Sequence, residues 1–411
     1  MNNFVNIAVI GTLDTKPDEF QYLRESIESL NAGCLIIDVS MRTMQEAMKV
    51  DYSCIELLGH SYNSNENIRN MDRKTAMPQV INCARTIVNN LYNTGKIDGI
   101  IGMGGSGGTT ISAEVMRDLP IGFPKVIVST LGGATRIADY VGIKDMLIIN
   151  SVVDIAGINT LLKRVICEAA GAVVGAARSS KELQVEQKTK KRIAMTMYGL
   201  TTKGVVIARK HLESLGYEVT TFHATGQGGK AMESLIRQDF FDGILDMTLP
   251  EVNSYVLDVE YSNPGEGRLY GAIEKGLPCV LCPGAMDMVS TNNFLQYSDR
   301  VIYSHSNKPS HFRTNAEDLY KSGTYMVQVL NKAKVNCALL LPIKGLSEVD
   351  APGKPMYNPQ ANKVLFDTLQ NGISNPLVRV EAINCSVNDK EFALKAANCL
   401  DSLIKASTDQ Y

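Results

Sequence analysis

The segment Ile100-Ile101-Gly102-Met103-Gly104-Gly105-Ser106-Gly107-Gly108-Thr109-Thr110 runs an apolar strand into a cluster of glycines. Ile111, Val115 and Met116 then continue at helical spacing. A glycine can take positive φ and carries no Cβ to keep a ligand away. The helix start that follows offers unpaired N–H groups and the positive end of the helix dipole, which together favour an anion. Ser106, Thr109 and Thr110 can cap that helix or donate to a phosphate. No Lys-Ser/Thr pair follows the glycines, so this is not a P-loop. No G-x-G-x-x-G frame is spaced to an acid on the next strand, so it is not a dinucleotide fingerprint either. Four glycines, Gly104, Gly105, Gly107 and Gly108, exceed what a bare strand-to-helix turn requires, and the loop is read as a phosphate cradle.

Around this loop, short runs that are apolar at consecutive positions recur: Asn6–Ile10, Gly33–Val39, Gly99–Ile101, Val126–Ser129 and Met146–Asn150. Such runs suit strands of a parallel sheet buried on both faces. Between the first two, Phe20, Leu23, Ile27 and Leu30 line one helical face, which completes a βαβ unit. The fold class is therefore α/β, with parallel sheets and a ligand cleft at the carboxyl edges of the strands. Gly11-Thr12-Leu13-Asp14-Thr15-Lys16-Pro17 follows the first strand at that edge. Lys16 supplies a cation that the glycine loop lacks, and Asp14 suits a metal or a ribose hydroxyl. Capping of the next helix by Asp14 or Thr15 is the structural alternative. Ser129 and Thr130 end another strand, and Asp154 and Asn159 lie beyond a further one. These join Thr12 as candidate ligand contacts, or else pin their loops.

A second start occurs near residue 192, after the polar stretch Arg178–Arg192, which reads as a domain connection or a solvated helix end. Arg192-Ile-Ala-Met-Thr-Met-Tyr-Gly-Leu-Thr-Thr-Lys203 echoes Asn6-Ile-Ala-Val-Ile-Gly-Thr-Leu-Asp-Thr-Lys16. Two further pairs, 97–103 with 241–247 and 123–128 with 277–282, repeat in the same order, which suggests two similarly wound halves. Where the glycine loop would recur stands Asp246-Met247-Thr248-Leu249-Pro250-Glu251. Asp246 and Glu251, with Asp287, His305 and Arg313 downstream, form a candidate catalytic set for metal, sugar-hydroxyl or acid–base work. Cys279-Val280-Leu281-Cys282 lacks the second pair a zinc site needs and sits in a predicted strand, so it reads as core. Beyond about residue 335 a strand, a Pro/Gly-rich loop, a helix, a strand and a final amphipathic helix follow.

The chain has 411 residues, enough for two or three domains. Its 41 basic and 43 acidic residues nearly cancel, which leaves no field to draw a nucleic-acid backbone or an anionic membrane. Nine scattered cysteines, an odd number, fit reduced thiols of a cytosol. The start lacks the basic and long apolar regions of a signal peptide. The apolar runs are broken well short of the roughly 18 residues of a membrane span. A cytoplasmic location is expected.

Across nearly its whole length the chain resembles a family of bacterial and fungal proteins that share the ATP-binding domain of a plant tobamovirus-resistance protein. The segments that carry the resemblance include Gly11–Lys16, Gly104–Thr109, Leu119–Lys125, Ser151–Asn159, Gly228-Gly229-Lys230-Ala231-Met232-Glu233, Pro283–Met288 and Leu341–Ser347. The resemblance implies two Rossmann-like halves, ATP binding in the first, and self-association as a homo-oligomer, a dimer being expected. By it, Gly104–Thr109 face the phosphates with Gly11–Lys16 beside them. The expected division is a nucleotide-binding α/β domain over 1–180 and a second Rossmann-like α/β domain over 190–411. The expected function is ATP binding accompanied by Mg²⁺. The alternative is an enzyme acting on a small phosphorylated or polyhydroxylated acid, with ATP as co-substrate or the loop holding the substrate's own phosphate.

Overall fold

The computed structural model describes residues 4–42, 48–61, 71–134, 137–183, 190–304 and 311–408. The chain divides into two compact units, Met1–Val185 and Glu186–Tyr411.

In the first unit the order is β1 (Asn6–Gly11), α1 (Pro17–Ser29), β2 (Gly33–Asp38), β3 (Tyr52–Ser53), α2 (Cys54–Ser61), α3 (Arg73–Asn93), β4 (Gly99–Gly104), α4 (Ser106–Met116), β5 (Lys125–Ser129), α5 (Ile137–Val141), β6 (Met146–Asn150) and α6 (Thr160–Glu182). The strands form one parallel sheet in the order β3-β2-β1-β4-β5-β6. Alternate residues of each strand enter two different cores, which explains the runs that are apolar at every position. Ala8, Ile10, Ile37 and Ile100 pack on one face with Val80, Ala84 and Ile111 of α3 and α4. Ile7, Val9, Ile36 and Ile101 pack on the other with Phe20, Leu23, Ile166 and Val173 of α1 and α6.

The second unit contains β7 (Arg192–Met197), α7 (Thr202–Ser214), β8 (Glu218–His223), α8 (Gln227–Arg237), β9 (Gly243–Thr248), α9 (Pro250–Val256), α10 (Tyr270–Lys275), β10 (Cys279–Gly284), β11 (Met288–Ser290), β12 (Ile302–Tyr303), β13 (His311–Arg313), α11 (Ala316–Leu330), β14 (Cys337–Pro342), α12 (Pro359–Gly372), β15 (Val378–Ile383) and α13 (Lys390–Thr408). Its parallel sheet runs β15-β14-β10-β9-β7-β8. Cys279 and Cys282 are buried in β10, as core residues.

The α/β expectation holds, and the halves share their winding. Read from the other edge, the second sheet is β8-β7-β9-β10-β14-β15, whose first five strands correspond in order to β2-β1-β4-β5-β6. The three sequence echoes pair β1 with β7, β4 with β9 and β5 with β10. Those strands occupy equivalent places. Each sheet adds one strand of its own, β3 at one edge of the first and β15 at the opposite edge of the second.

Helix α6 runs to Glu182, so the polar stretch begins as a helix end, one of its two readings, and the division between the units falls within it. One feature departs from the expectation. An antiparallel sheet β11-β13-β12 is inserted after β10. Its strands have three, two and three residues, too short for any period to register. Among the described residues no helix is long and apolar enough to cross a membrane.

Candidate functional site

In an open parallel sheet the crevice forms where neighbouring strands send their connections to opposite faces. In the first sheet that place lies between β1 and β4, which are direct neighbours. Their carboxyl ends carry the two loops singled out in the sequence, Gly11–Lys16 and Gly104–Thr109.

Helix α4 begins at an N-cap glycine, Gly105, and no side chain caps it. The first amide bonded within the helix is that of Thr109, which donates to the Gly105 carbonyl at 2.9 Å. The amides of Ser106, Gly107 and Gly108 make up the turn before it, where helix donors lack intrahelical partners. None of the four glycines takes positive φ. What they supply is the absence of a Cβ. A Cβ on Gly104 would lie 2.9 Å from Cα of Gly108, and one on Gly108 3.0 Å from the Met103 carbonyl. One on Gly107 would overlap the guanidinium of Arg73. Only Gly105 has no such demand, its nearest neighbour being Thr130 Oγ1 at 3.7 Å.

Arg73 was not visible in the sequence reading. It is the first residue of α3, exposed, and held in place by Asp72, whose carboxylate accepts from the amides of Lys74 (2.9 Å) and Thr75 (3.2 Å). Its guanidinium lies against Gly107 and brings a cation to the glycine loop. Nothing in the local sequence links Arg73 to a loop 34 positions later.

The other candidates divide by environment. Thr109 and Ser129 are buried and hydrogen-bonded to each other at 2.7 Å, so they fasten α4 to β5 rather than face the crevice. Thr130 donates its amide to the Gly104 carbonyl and lies beside Gly105. Asn159 caps α6, accepting from the amides of Leu161 and Leu162 at 3.1 and 3.0 Å. Asp154 is exposed and accepts from the next amide, Ile155. Neither Asp14 nor Thr15 caps α1, because Lys16 is the N-cap residue and makes no side-chain cap bond. Thr15 donates to the Thr12 carbonyl instead. Asp14 holds its loop through its amide, which donates to Ser40 Oγ at 2.9 Å. The Lys16 ammonium donates to the carbonyl of Ile155, and Glu19 accepts from the Gly157 amide. These two contacts tie the 151–159 loop to the β1 loop and to α1. Asp38 stands at the end of β2, where a dinucleotide site carries its ribose-binding acid. Here it is buried and bonded to Ser40 and Leu13, and burial raises its carboxyl above the usual range.

The second unit uses its acids differently. Asp246 and Glu251 do not form an open acid pair. Both are buried and both grip Arg268, itself buried, at 2.6 and 3.0 Å from Asp246 and 2.8 Å from Glu251. Glu233 adds a third carboxylate at 3.5 Å. The remaining oxygens are occupied as well. Thr196 donates to Asp246, the amides of Gly226 and Gly229 donate to Glu251, and those of Leu269 and Gly271 donate to Glu233. Burial works against the Arg268 charge, yet its three carboxylates hold the guanidinium well above its ordinary range. The Asp246 and Glu251 candidates thus serve as counter-ions of a structural arginine. The sequence could not show this, since Arg268 lies 17 residues beyond Glu251 in a loop with no motif.

Arg313 is likewise structural. It donates to the carbonyls of Met356, Asp287, Thr314 and Asn358 and to Asn362 Oδ1, with Asp350 at 3.4 Å. Asp287 differs from the other acids. It is fully buried, accepts one hydrogen bond, from Ser347 at 2.8 Å, and its Oδ1 has no partner. Burial first, then the Asp350 charge, push its carboxyl up to about 7, against the pull of Arg313. His305 lies outside the described residues.

Residues 5–182 match the Uncharacterised protein family (UPF0261) N-terminal domain, and residues 190–404 match its C-terminal domain. A UPF0261 protein of Clostridium tetani is 40% identical over 408 residues, covering 97% of this chain and 99% of that one. The ToMV resistance protein Tm-1(GCR237) of Solanum lycopersicum is 35% identical over 95% of this chain, which spans 55% of the tomato protein's length. Among solved structures, a putative UDP-N-acetylglucosamine 2-epimerase from Listeria monocytogenes aligns over 99% of this chain and 97% of that one. It does so at 9% identity and a TM-score of 0.25, too low to carry an argument.

Proposed function

The chain belongs to the uncharacterised protein family UPF0261, and from that premise we propose that its amino-terminal half binds a nucleotide, ATP with Mg²⁺, at the crevice between β1 and β4. The observation that carries this reading is the start of α4. It is an uncapped helix N-terminus at the switch of a parallel sheet, with the Arg73 guanidinium against Gly107. Backbone amides and a helix dipole suit a phosphate, and a guanidinium adds charge-assisted hydrogen bonds to it. Lys16, on the neighbouring loop, is a second cation within the same edge. Among the described residues no three His, Cys, Asp or Glu side chains gather as a metal group. Mg²⁺ would therefore be held chiefly by the phosphates and water, as is usual for this ion, with Asp14 the carboxylate that the β1 loop offers. Self-association as a dimer accompanies this reading on the resemblance alone, and a cytoplasmic location on the cysteine content and the short apolar runs. Sedimentation tests the first.

Calorimetry and thermal melting with ATP, ADP and ribose 5-phosphate, each with Mg²⁺, test the proposal. ATP is expected to release or absorb heat and raise Tm. Neither effect at millimolar ATP would sink it. Stabilisation by ribose 5-phosphate but not by ATP would transfer the loop to the alternative, an enzyme that holds its substrate's own phosphate.

A further inference from the structure

The carboxyl-terminal half has its own switch point, between β7 and β9, and the groups gathered there are not those of a phosphate site. Tyr198 follows the last residue of β7. Its hydroxyl hydrogen-bonds to Nε2 of His311 at 2.6 Å and to Oγ of Ser290. Ser290 and His311 are register partners across β11 and β13, so the inserted antiparallel sheet delivers both to the end of β7. The Tyr198 ring is buried and stacks on His223, which is exposed.

Asp287 lies in the turn between β10 and β11 of the same edge. The backbone of that turn is clamped. Arg313 and Thr314 donate to the Asp287 carbonyl, Thr314 Oγ1 and Asn253 donate to that of Met286, and Asn253 also reaches Met288. Ala285 is held at φ 58°, a strained conformation for a residue with a side chain. Yet the carboxyl carried by this rigid turn is under-satisfied. Asp350, 63 positions on, shows what a structural carboxylate looks like here: each of its oxygens accepts two hydrogen bonds, from Arg313, Asn358, Leu346 and Asn362. Asp287 accepts one bond in all. Two more fully buried atoms lack partners, Thr248 Oγ1 at the end of β9 and Asn253 Oδ1 in the middle of α9. Buried polar groups in a folded protein are nearly always paired, and exceptions call for a reason.

We propose that this half carries an acid–base site of its own, in which Asp287 and the Tyr198–His311 pair move protons on a small, neutral, hydroxyl-rich carbonyl compound. The ligand class follows from the unpartnered atoms. A carboxylate oxygen and an amide oxygen call for donors and the Thr248 hydroxyl can donate or accept, roles that ligand hydroxyls meet, whereas an anion would meet the charges of Asp287 and Asp350. The exposed rings of His223 and Tyr261 offer stacking faces for the carbon skeleton. In the step proposed, the Asp287 carboxylate takes a proton from the carbon beside the carbonyl. The Tyr198 hydroxyl gives its proton to the carbonyl oxygen, and His311 resupplies Tyr198. Asp287 then gives its proton to the former carbonyl carbon and the neighbouring ligand hydroxyl gives its proton to the Tyr198–His311 pair, which leaves the ligand's formula unchanged and both enzyme groups restored, so the reaction class is an isomerisation. The groups that set the protonation are Asp350, Arg313 and Ser347 around Asp287, and Ser290, His311, His223, Asp287 and Tyr261 around Tyr198.

The test needs no nucleotide and stands apart from the one above. The full chain is incubated in D₂O with D-ribose, D-xylose or dihydroxyacetone, and loss of the proton beside the carbonyl is followed by NMR. Exchange above the protein-free rate is expected for at least one sugar, rising with pH through about 7, where the Asp287 carboxyl ionises. Asp287→Asn and Tyr198→Phe should each reduce it on the order of 100-fold, within the usual range for loss of an acid–base group. Thermal melts at pH 8 add a reading that requires no ligand. Asp287→Asn removes a buried charge and should raise Tm. No exchange with any of the three sugars, exchange unchanged in both variants, or a lower Tm for Asp287→Asn would each overturn the proposal.

Discussion

The β4–α4 turn and the β9–α9 turn occupy equivalent places in two similarly wound sheets, and they present opposite surfaces. In the first, Gly105 caps a helix whose opening amides are left to the crevice, with a guanidinium beside them. In the second, Pro250 opens the helix and has no amide to offer. The next residue, Glu251, turns its carboxylate onto the amides of Gly226 and Gly229 at the start of α8. The second half thus fills a helix N-terminus with a carboxylate of its own. What the contrast teaches is that winding fixes where a crevice lies, while a few residues at the turn decide whether an anion from outside is admitted there.

Four substitutions would break or sharpen this contrast. The largest effect is expected from Arg268→Met, which leaves three carboxylates buried without their cation. The second unit should lose on the order of 3–5 kcal/mol, read by urea denaturation of the full chain. Gly105→Asp would give the first half what the second already has, a carboxylate on the helix start. The site has room for it, and an Asp N-cap should keep or slightly raise stability. ATP affinity by calorimetry should nonetheless fall about 100-fold, roughly 2.7 kcal/mol. If Gly105→Asp binds ATP like the parent, α4 is not the phosphate site. Gly107→Ala displaces the Arg73 guanidinium and little else. About a tenfold loss of affinity with an unchanged Tm is expected, the size of one charge-assisted contact. Asn159→Ala should cost about 1 kcal/mol of stability through the lost α6 cap and leave affinity intact. A larger loss of affinity would return Asn159 to the ligand.

The acid contrast within the second half has its own pH signature. Asp287 has a folded pKa near 7, above the unfolded value, so its contribution to stability is fully present below about pH 4 and is lost as pH rises to about 7. The parent chain should therefore lose stability relative to Asp287→Asn across that window. The difference should level off above it at roughly 2–4 kcal/mol, as calorimetric melts at several pH values would measure.

Much of the fold was legible because buried parallel strands impose apolar residues at consecutive positions, as in Ile7–Ile10 and Ile100–Ile101. The equivalence of the halves was legible too, because the turns after β1 and β7 keep the same Leu-x-Thr-Lys pattern. The sites were harder, and for one physical reason. A side chain's role is set by its partners, and these came from far away in sequence. Asp246 and Glu251 look like free acids until Arg268 is placed between them. Ser129 looks like a loop-end donor until Thr109 buries against it. Tyr198, Ser290 and His311 carry no mutual spacing, since strands of three residues bring the last two together. Arg73 joins the glycine loop only through the packing of α3 beside α4. Even the loop was partly misread. Two of its four glycines, Gly104 and Gly108, are required by close approach of backbone atoms, Gly107 meets only the tip of the Arg73 side chain, and none is required by positive φ.

The tie between Lys16 and the carbonyl of Ile155 has a consequence in time rather than in affinity. If a phosphate recruits that ammonium, the carbonyl must be given up, and the 151–159 loop loses a hydrogen-bonded tie to the β1 loop while Glu19 of α1 still holds Gly157. Loop release and ligand capture then become one exchange event. The amide of Gly157 would serve as a clock for it, trading with solvent deuterium faster when the crevice is occupied than when it is empty.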